Sequence, residues 1–162
     1  MITHYRIDQR LIHGQTTAFL VNQIPCDGIL LIDDEIAADP FLTSVFKGVV
    51  PESIKVHIFS VEKALKKLPE AEESAKNYFV IFKHPTALAD LFRKGYVPKG
   101  PVYLGPQQGR DNTRLVLDQM LMTDSEINDV SMLDENGVDI RVQPILTHQE
   151  KKWKEVWTGG VL

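Results

Sequence analysis

The chain has 162 residues, of which 43% are hydrophobic and 25% charged, so it has the size and composition of one globular domain with a sizeable core. Its 18 basic and 22 acidic residues give a net charge of −4, which disfavours binding to nucleic acid or to an anionic membrane surface. The single cysteine excludes an internal disulfide, and no apolar run approaches the length of a signal sequence or a membrane span. We expect one cytoplasmic domain over residues 1–162, with no direct membrane insertion.

Short apolar runs alternate with amphipathic segments along the whole chain. The runs are rich in Val, Ile, Phe and Tyr and contain few polar residues, which is typical of strands buried on both faces. In chain order the predicted elements are strand His4–Ile7, helix Gly14–Gln23, strand Ile29–Ile32, helix Pro40–Phe46, strand Ile54–Phe59, a helix from Ser60, strand Tyr78–Phe82, helix Pro85–Lys94, strand Val102–Leu104, a further apolar run Arg114–Met122, a helix from Thr123 to about Asn136, strand Ile140–Ile145 and a tail helix Gln149–Trp157.

This alternation predicts the α/β fold class: a single doubly wound, mostly parallel β-sheet with helices on both faces. Helix starts are marked by Asp39, Ser60 and Thr123, which are favourable N-cap residues. In such folds the ligand lies outside the carboxyl ends of the strands. The segments to inspect therefore follow the strands: residues 8–15, 33–35, 60, 83–84 and 105–113.

Several common site motifs are missing. The sequence has no phosphate-binding Walker loop, no Gly-x-Gly-x-x-Gly after the first strand and no Gly-x-Ser-x-Gly elbow. Its five histidines and Cys26 show no metal-ligand spacing. We therefore expect neither a bound metal nor a cofactor.

One segment, Arg6-Ile-Asp-Gln-Arg-Leu-Ile-His-Gly-Gln15, concentrates chemically active side chains where the first strand ends. A helix N-terminus binds anions, and the planar guanidinium of Arg10 suits phosphate oxygens. Asp8 is placed to orient the imidazole of His13, which would serve as the nucleophile. Together these residues are typical of a phosphohistidine site. Taken alone, each is more simply interpreted as a capping histidine or as part of a surface ion pair.

The same decapeptide closely resembles the signature of the IIB components of the mannose/fructose/sorbose family of the bacterial phosphoenolpyruvate-dependent sugar phosphotransferase system. Further segments resemble that family in the expected order: Leu31–Ala37, Phe82–Leu88, Leu91–Gly95 and Val138–Pro144. Together they cover most of the chain, and the decapeptide is the most specific of them.

The resemblance implies a phosphocarrier enzyme, a protein-phosphohistidine–sugar phosphotransferase. His13 is then the residue phosphorylated, on Nδ1, by a phosphohistidine of a IIA partner. The phosphoryl group passes to a sugar held by the membrane IIC and IID components. The site residues carried over with it are the catalytic Arg10 and Asp8 and the phosphate-binding Arg6, Gly14 and Gln15.

Two positions depart from the family pattern. Asp33 stands where the family has Asn, which adds a negative charge unless the side chain caps or packs. The loop Leu104–Thr113 replaces a Gly-Gly-Met-His-like turn, and its Gln107 and Arg110 are further candidates for contact with the phosphoryl group. Lys83, after the fourth strand, is another such candidate.

Two alternatives of the same fold class stay open at this point. A receiver-like signalling module would use an acidic pair such as Asp33 and Asp34, but here those residues follow the second strand. A binding domain for a small ligand would have the fold without any transfer chemistry.

Overall fold

A computed structural model describes residues 1–159 and 162, with the side chain of Gln15 left out of the description. Nine strands are described: β1 Ile2–Ile7, β2 Gly28–Ile32, β3 Lys55–Phe59, β4 Tyr78–Phe82, β5 Val102–Leu104, β6 Thr113–Leu117, β7 Met120–Thr123, β8 Ile140–Val142 and β9 Lys151–Lys152. Seven helices are described: α1 Gly14–Val21, α2 Asp34–Ala38, α3 Pro40–Gly48, α4 Val61–Glu73, α5 Pro85–Arg93, α6 Asp124–Glu135 and α7 Trp153–Val156.

The main sheet has the strand order β3-β2-β4-β1-β5-β8-β9. Every pair in it is parallel except β8 with β9. The predicted α/β fold with a mostly parallel sheet is therefore confirmed.

Helices cover both faces of the sheet. Alternate residues of each buried strand point to opposite sides, so each such strand contributes to two cores. Leu30 and Ile32 of β2 lie in the larger core with α4, α5 and α6. Ile29 and Leu31 of the same strand lie in the second core with α1 and α2. In the described part of the chain no helix is long and apolar enough to cross a membrane.

The sheet contains a topological switch between β1 and β4. The chain leaves β1 toward β2 on one side, and it leaves β4 toward β5 on the other. The loops after these two strands lie together, since the backbone N–H of Asp8 donates to the carbonyl of Phe82 at 2.9 Å. This is the place where open α/β sheets hold their ligands.

Most of the helix boundaries were predictable from local chemistry. Asp39 accepts from the backbone of Phe41 at 2.9 Å, and Ser60 accepts from Lys63 at 3.2 Å. Thr123 and Glu126 form the predicted capping box of α6.

The chain differs from the prediction in several segments. Asp34–Ala38 forms helix α2, which is not among the predicted elements. The apolar run Arg114–Met122 is not one element but lies in an antiparallel hairpin of β6 and β7 outside the main sheet. Gln119 makes its turn with a φ of 64°. The tail helix is only Trp153–Val156, because Lys151 and Lys152 instead pair with β8.

Candidate functional site

The loop after β1 is organised around the carboxylate of Asp8, which is 1% exposed. Its Oδ2 accepts from Arg6 Nε and Arg10 Nη2, both at 3.0 Å. Its Oδ1 accepts from Arg10 Nε at 3.1 Å and from the Arg10 backbone N–H at 3.0 Å. Asp8 thus holds two guanidinium groups and turns the backbone between them.

Arg6 lies beneath Asp8 and is itself only 1% exposed. Burial lowers the pKa of its guanidinium, and the neighbouring Asp8 carboxylate opposes that shift. Its Nη2 donates to the carbonyl of Gln143 at 3.4 Å, while its buried Nη1 has no hydrogen-bond partner among the described residues. The predicted direct contact of Arg6 with phosphate does not fit this burial. Its place in the structure is behind the carboxylate.

Gly105 makes room for this buried guanidinium. A Cβ at that position would lie 2.6 Å from Arg6 Nη2 and 3.0 Å from Asp8 Oδ2. Sequence analysis did not single out this glycine, because only the parallel pairing of β5 with β1 brings it to the site. The one signal in the sequence is its position directly after the fifth strand.

Arg10 is the accessible member of the cluster, with its side chain 30% exposed. Together with Thr16 and Phe19 of α1, it lines a groove of about 250 Å³. Gln119 and residues 144–147 complete the walls of this groove. The structure therefore brings Arg10 to the first turn of α1 and to the hairpin.

His13 is the N-cap residue of α1 and is half-buried. Its side chain makes no capping hydrogen bond, and the first turn of α1 contains no acidic residue. The Nδ1 atom is shielded from solvent and has no hydrogen-bond partner in the described structure. The imidazole is less exposed than the sequence suggested, and one of its nitrogens is unpaired.

The predicted orientation of His13 by Asp8 is wrong in this geometry. The Asp8 carboxylate is paired with the two arginines, and it forms no hydrogen bond with Nδ1 of His13. Two guanidinium groups compete better than an imidazole for a buried carboxylate, because they form charge-assisted and partly bidentate hydrogen bonds.

Gly14 begins α1, and a Cβ there would meet nothing within 4 Å. The space above the helix N-terminus is therefore open. Gln15 follows in the same turn, and its side chain lies outside what the structure describes. The left-handed residue of this loop is not Gly14 but Leu11, with a φ of 59°.

The remaining candidates from the sequence are not among the residues that line the Arg10 groove. Gln107 is fully buried, and its amide donates to the carbonyl of Pro106 at 3.0 Å. Arg110 donates to both carboxylate oxygens of Glu126, at 2.8 and 3.0 Å. These two side chains join the 105–113 loop to its neighbours, and their contact with a phosphoryl group stays a prediction.

Lys83 and His84 line a different groove, also about 250 Å³, with Asp33, Asp34 and Glu35 among its walls. Lys83 directly follows Phe82, whose carbonyl accepts from the backbone N–H of Asp8, and its approach to the phosphoryl group stays a prediction. His84 Nδ1 lies 3.2 Å from Gln107 Oε1 and 3.3 Å from Arg110 Nη2, and burial lowers the pKa of His84.

The acidic pair after β2 caps helices. Asp33 accepts from the backbone N–H of Ile36 at 2.9 Å, and Asp34 accepts from that of Val61 at 2.8 Å. Neither carboxylate is arranged as a receiver-type phosphorylation site.

Known proteins resemble this chain in sequence and in fold. The chain is 25% identical to a fructose-specific EIIB component of Bacillus subtilis over 86% of its own length and 85% of that protein's. It is 24% identical to a mannose-specific EIIAB component of Escherichia coli over 93% of its length, spanning 46% of that longer protein. The crystal structure of the IIBSor domain of the Klebsiella pneumoniae sorbose permease superposes with a TM-score of 0.83, at 23% identity, covering 94% and 93% of the two chains.

The sequence model of one family, described as the PTS system sorbose subfamily IIB component, matches residues 2–159. That match covers nearly the whole chain. The protein therefore belongs to the sorbose-subfamily IIB components of the sugar phosphotransferase system.

Proposed function

We propose that this IIB component carries a phosphoryl group on His13, taken from a phosphorylated IIA partner and passed in the cytoplasm to a sugar held by membrane IIC and IID partners. The observation that carries the proposal is the position of His13 at the start of α1, where its side chain makes no capping hydrogen bond. It lies three residues after Arg10, an accessible arginine whose position is fixed by Asp8. A IIA donor is supported by the mannose-specific relative, whose name joins an A and a B component in one chain.

The transfer step exchanges one nitrogen–phosphorus bond for another. The lone pair on Nδ1 of neutral His13 attacks phosphorus, and the bond from phosphorus to the donor's imidazole nitrogen breaks with its electron pair staying on that nitrogen. In the second step a sugar hydroxyl oxygen attacks phosphorus, its proton leaves to a base, and the imidazole of His13 is released. The first step is nearly balanced in free energy because the two nitrogen–phosphorus bonds are alike.

Charge stabilisation falls to two groups of this chain. The first-turn backbone N–H groups of α1 have no side-chain cap and can donate to phosphoryl oxygens. Arg10 keeps part of its guanidinium accessible to the groove while Asp8 holds the rest. Such fixed donors need little reorganisation during the reaction, which is why they accelerate it.

The shielding of Nδ1 sets a conformational requirement. Phosphorus cannot reach a nitrogen with no solvent exposure, so the ring must rotate or residues 8–13 must shift when the donor docks. Nothing among the described hydrogen bonds ties Nδ1 in place, and this favours rotation of the ring.

The experiment is phosphoryl transfer from a radiolabelled, phosphorylated IIA protein of a sorbose-subfamily system. We expect the wild type and His84→Ala to take up label that is lost in acid and kept in base, and His13→Ala to take up none while unfolding at an unchanged denaturant concentration. Undiminished labelling of His13→Ala would contradict the proposal. No labelling of the wild type by a donor that labels its own IIB would favour the simple ligand-binding domain.

A further inference from the structure

Helix α3 has a broad apolar face, of which only one side packs against the protein. Leu42 and Phe46 contact the second core. On the adjoining side Phe41 is 73% exposed, Val45 42% and the C-cap residue Val49 43%. These three residues are spaced four apart and therefore form one row on the helix surface. Single exposed apolar residues are ordinary, but a continuous row of them indicates an interaction surface.

The exposed face of α3 carries no charge. A helical projection places Ser44 and Gly48 beside Phe41, Val45 and Val49, and both are exposed. A Cβ at Gly48 would meet nothing within 4 Å in the described structure. Small residues in such a row let a second helix approach closely.

A groove of about 740 Å³ opens at the C-terminal end of the same helix, beside the edge strand β3. Its apolar wall is formed by Gly48, Val50, Ile54 and Val56. The rest of the groove is lined by two exposed lysines, Lys47 and Lys55, and by Pro51, Glu52 and His57.

We propose that this face binds a second copy of the chain, with the two α3 helices antiparallel about a twofold axis near Val45. The protruding Phe41 lies at the N-terminal end of α3 and the groove at its C-terminal end, about 10 Å apart along the axis. A twofold axis between them places each Phe41 in the groove of the other copy. Such self-complementarity is what an isologous dimer requires.

The charges around α3 are complementary in the same arrangement. Asp39 lies at the N-terminal end, whereas the groove at the C-terminal end is lined by Lys47, Lys55 and Glu52 and carries a net positive charge. Antiparallel pairing brings the acidic end of one helix to the basic end of the other, whereas parallel pairing would oppose like charges. The occupant that fits both the shape and the charge is therefore the same surface of a second molecule.

The contact is small, since it consists of one nine-residue helix and its adjoining groove. Interfaces of this kind bury less than ~1,200 Å² and are characteristically weak. We expect reversible association, with the average mass rising from 18.3 kDa toward twice that value as the concentration increases.

Sedimentation equilibrium over a range of concentrations tests this surface with two variants. Phe41→Ser removes the protruding ring, and Gly48→Leu adds a side chain in the groove at a position where a Cβ meets nothing within 4 Å. Each is expected to raise the dimer dissociation constant by about tenfold or more. Leu115→Ser is the matched control, because Leu115 is 67% exposed but lies on the β6–β7 hairpin.

Wild type and Leu115→Ser should associate equally, with all variants unfolding at wild-type denaturant concentrations or above. A wild type that stays at 18.3 kDa at every concentration would overturn the proposal. Association of Phe41→Ser and Gly48→Leu with the wild-type dissociation constant would overturn it as well, because the dimer would then use another surface.

Discussion

At the scale of single residues, the accessible part of Arg10 is the group best placed to meet an incoming phosphoryl group. Asp8 fixes its Nε and Nη2, so the guanidinium does not have to be ordered during the reaction. Arg10→Ala should lose about 2–4 kcal/mol of transition-state stabilisation, the effect of removing one preorganised donor.

Arg10→Lys should fall between Arg10→Ala and the wild type, since an ammonium keeps the charge but not the planar fork. Rapid-quench measurement of phosphoryl transfer gives the three rates, and circular dichroism confirms that each protein is folded. A wild-type rate for Arg10→Ala would remove this side chain from the transfer step.

Gly105 is a positioning residue for the same cluster. In Gly105→Ala the new methyl group would lie 2.6 Å from Arg6 Nη2, so the buried guanidinium must move away from Asp8. We expect a loss of about 1–3 kcal/mol in the free energy of unfolding, together with slower phosphoryl transfer.

Urea denaturation of Gly105→Ala gives the stability. Gly109→Ala is the control, since its Cβ would make only an ordinary contact with Leu121 at 3.5 Å. Equal stability of both variants and the wild type would show that Arg6 is not confined as the geometry indicates.

His4 makes the stability of the fold depend on pH. It is 6% exposed, and its ring stacks on that of Tyr103 with the centroids 5.0 Å apart. Burial, and secondarily the charge of Arg6, lowers its pKa to about 4 from the ordinary value of 6.5. The unfolded chain therefore binds a proton at a higher pH than the folded chain does. The contribution of His4 to stability is complete above pH 6.5 and is lost as the pH falls toward 4 and below.

Substitution by a ring that does not titrate isolates this effect. Between pH 7 and pH 4 the wild type should lose about 3 kcal/mol more unfolding free energy than His4→Phe does. Urea titrations at both pH values measure the difference, and exposed His148→Gln should behave as the wild type. Identical pH profiles for the wild type and His4→Phe would mean that the folded protein accommodates a protonated His4.

At the scale of elements, the side chain at position 33 starts a helix. Asp33 accepts from the backbone of Ile36, and the five-residue helix α2 depends on that cap. Asp33→Asn preserves the acceptor and should change the unfolding free energy by less than about 0.5 kcal/mol, whereas Asp33→Ala should cost about 1 kcal/mol.

Both Asp33 variants should transfer phosphoryl groups at the wild-type rate. Chemical denaturation and the transfer assay check the two statements separately. A rate increase in Asp33→Asn would instead mean that the negative charge of Asp33 acts on the site.

The elements that sequence analysis missed are those with weak local signals. The hairpin of β6 and β7 turns at Asp118 and Gln119 without glycine or proline, so only this polar pair divides the apolar run and no strong turn residue marks it. Helix α2 is short, and its length depends on a cap rather than on periodicity. The buried parallel strands, by contrast, were predictable because each is a nearly unbroken apolar run.

At the site, composition and spacing predicted which residues gather after β1 but not which of them bind one another. Arg6, Asp8 and Arg10 do form a cluster. The predicted orientation of His13 by Asp8 is wrong because the two arginines compete with the imidazole for the Asp8 carboxylate. The sequence does not show which of these partners lies nearest to it. Gly105 escaped prediction because it reaches Arg6 only through the sheet.

At the scale of the whole molecule, the strand order explains why these residues meet. The switch between β1 and β4 opens one edge of the sheet, and α1 begins there with His13 as its N-cap. The surface proposed for self-association is on α3, the helix that packs beside β3 at the sheet's edge. Phosphoryl transfer takes place at the first of these two places, where Nδ1 of His13 is shielded from solvent before the donor docks.

The most direct test is nuclear magnetic resonance of the phosphorylated protein, with nitrogen-15 in the histidine rings. The account predicts a single phosphorus resonance coupled to Nδ1 of His13, with that coupling absent from His13→Ala. Phosphorus bound to Nε2 of His13, or to any other residue, would contradict it.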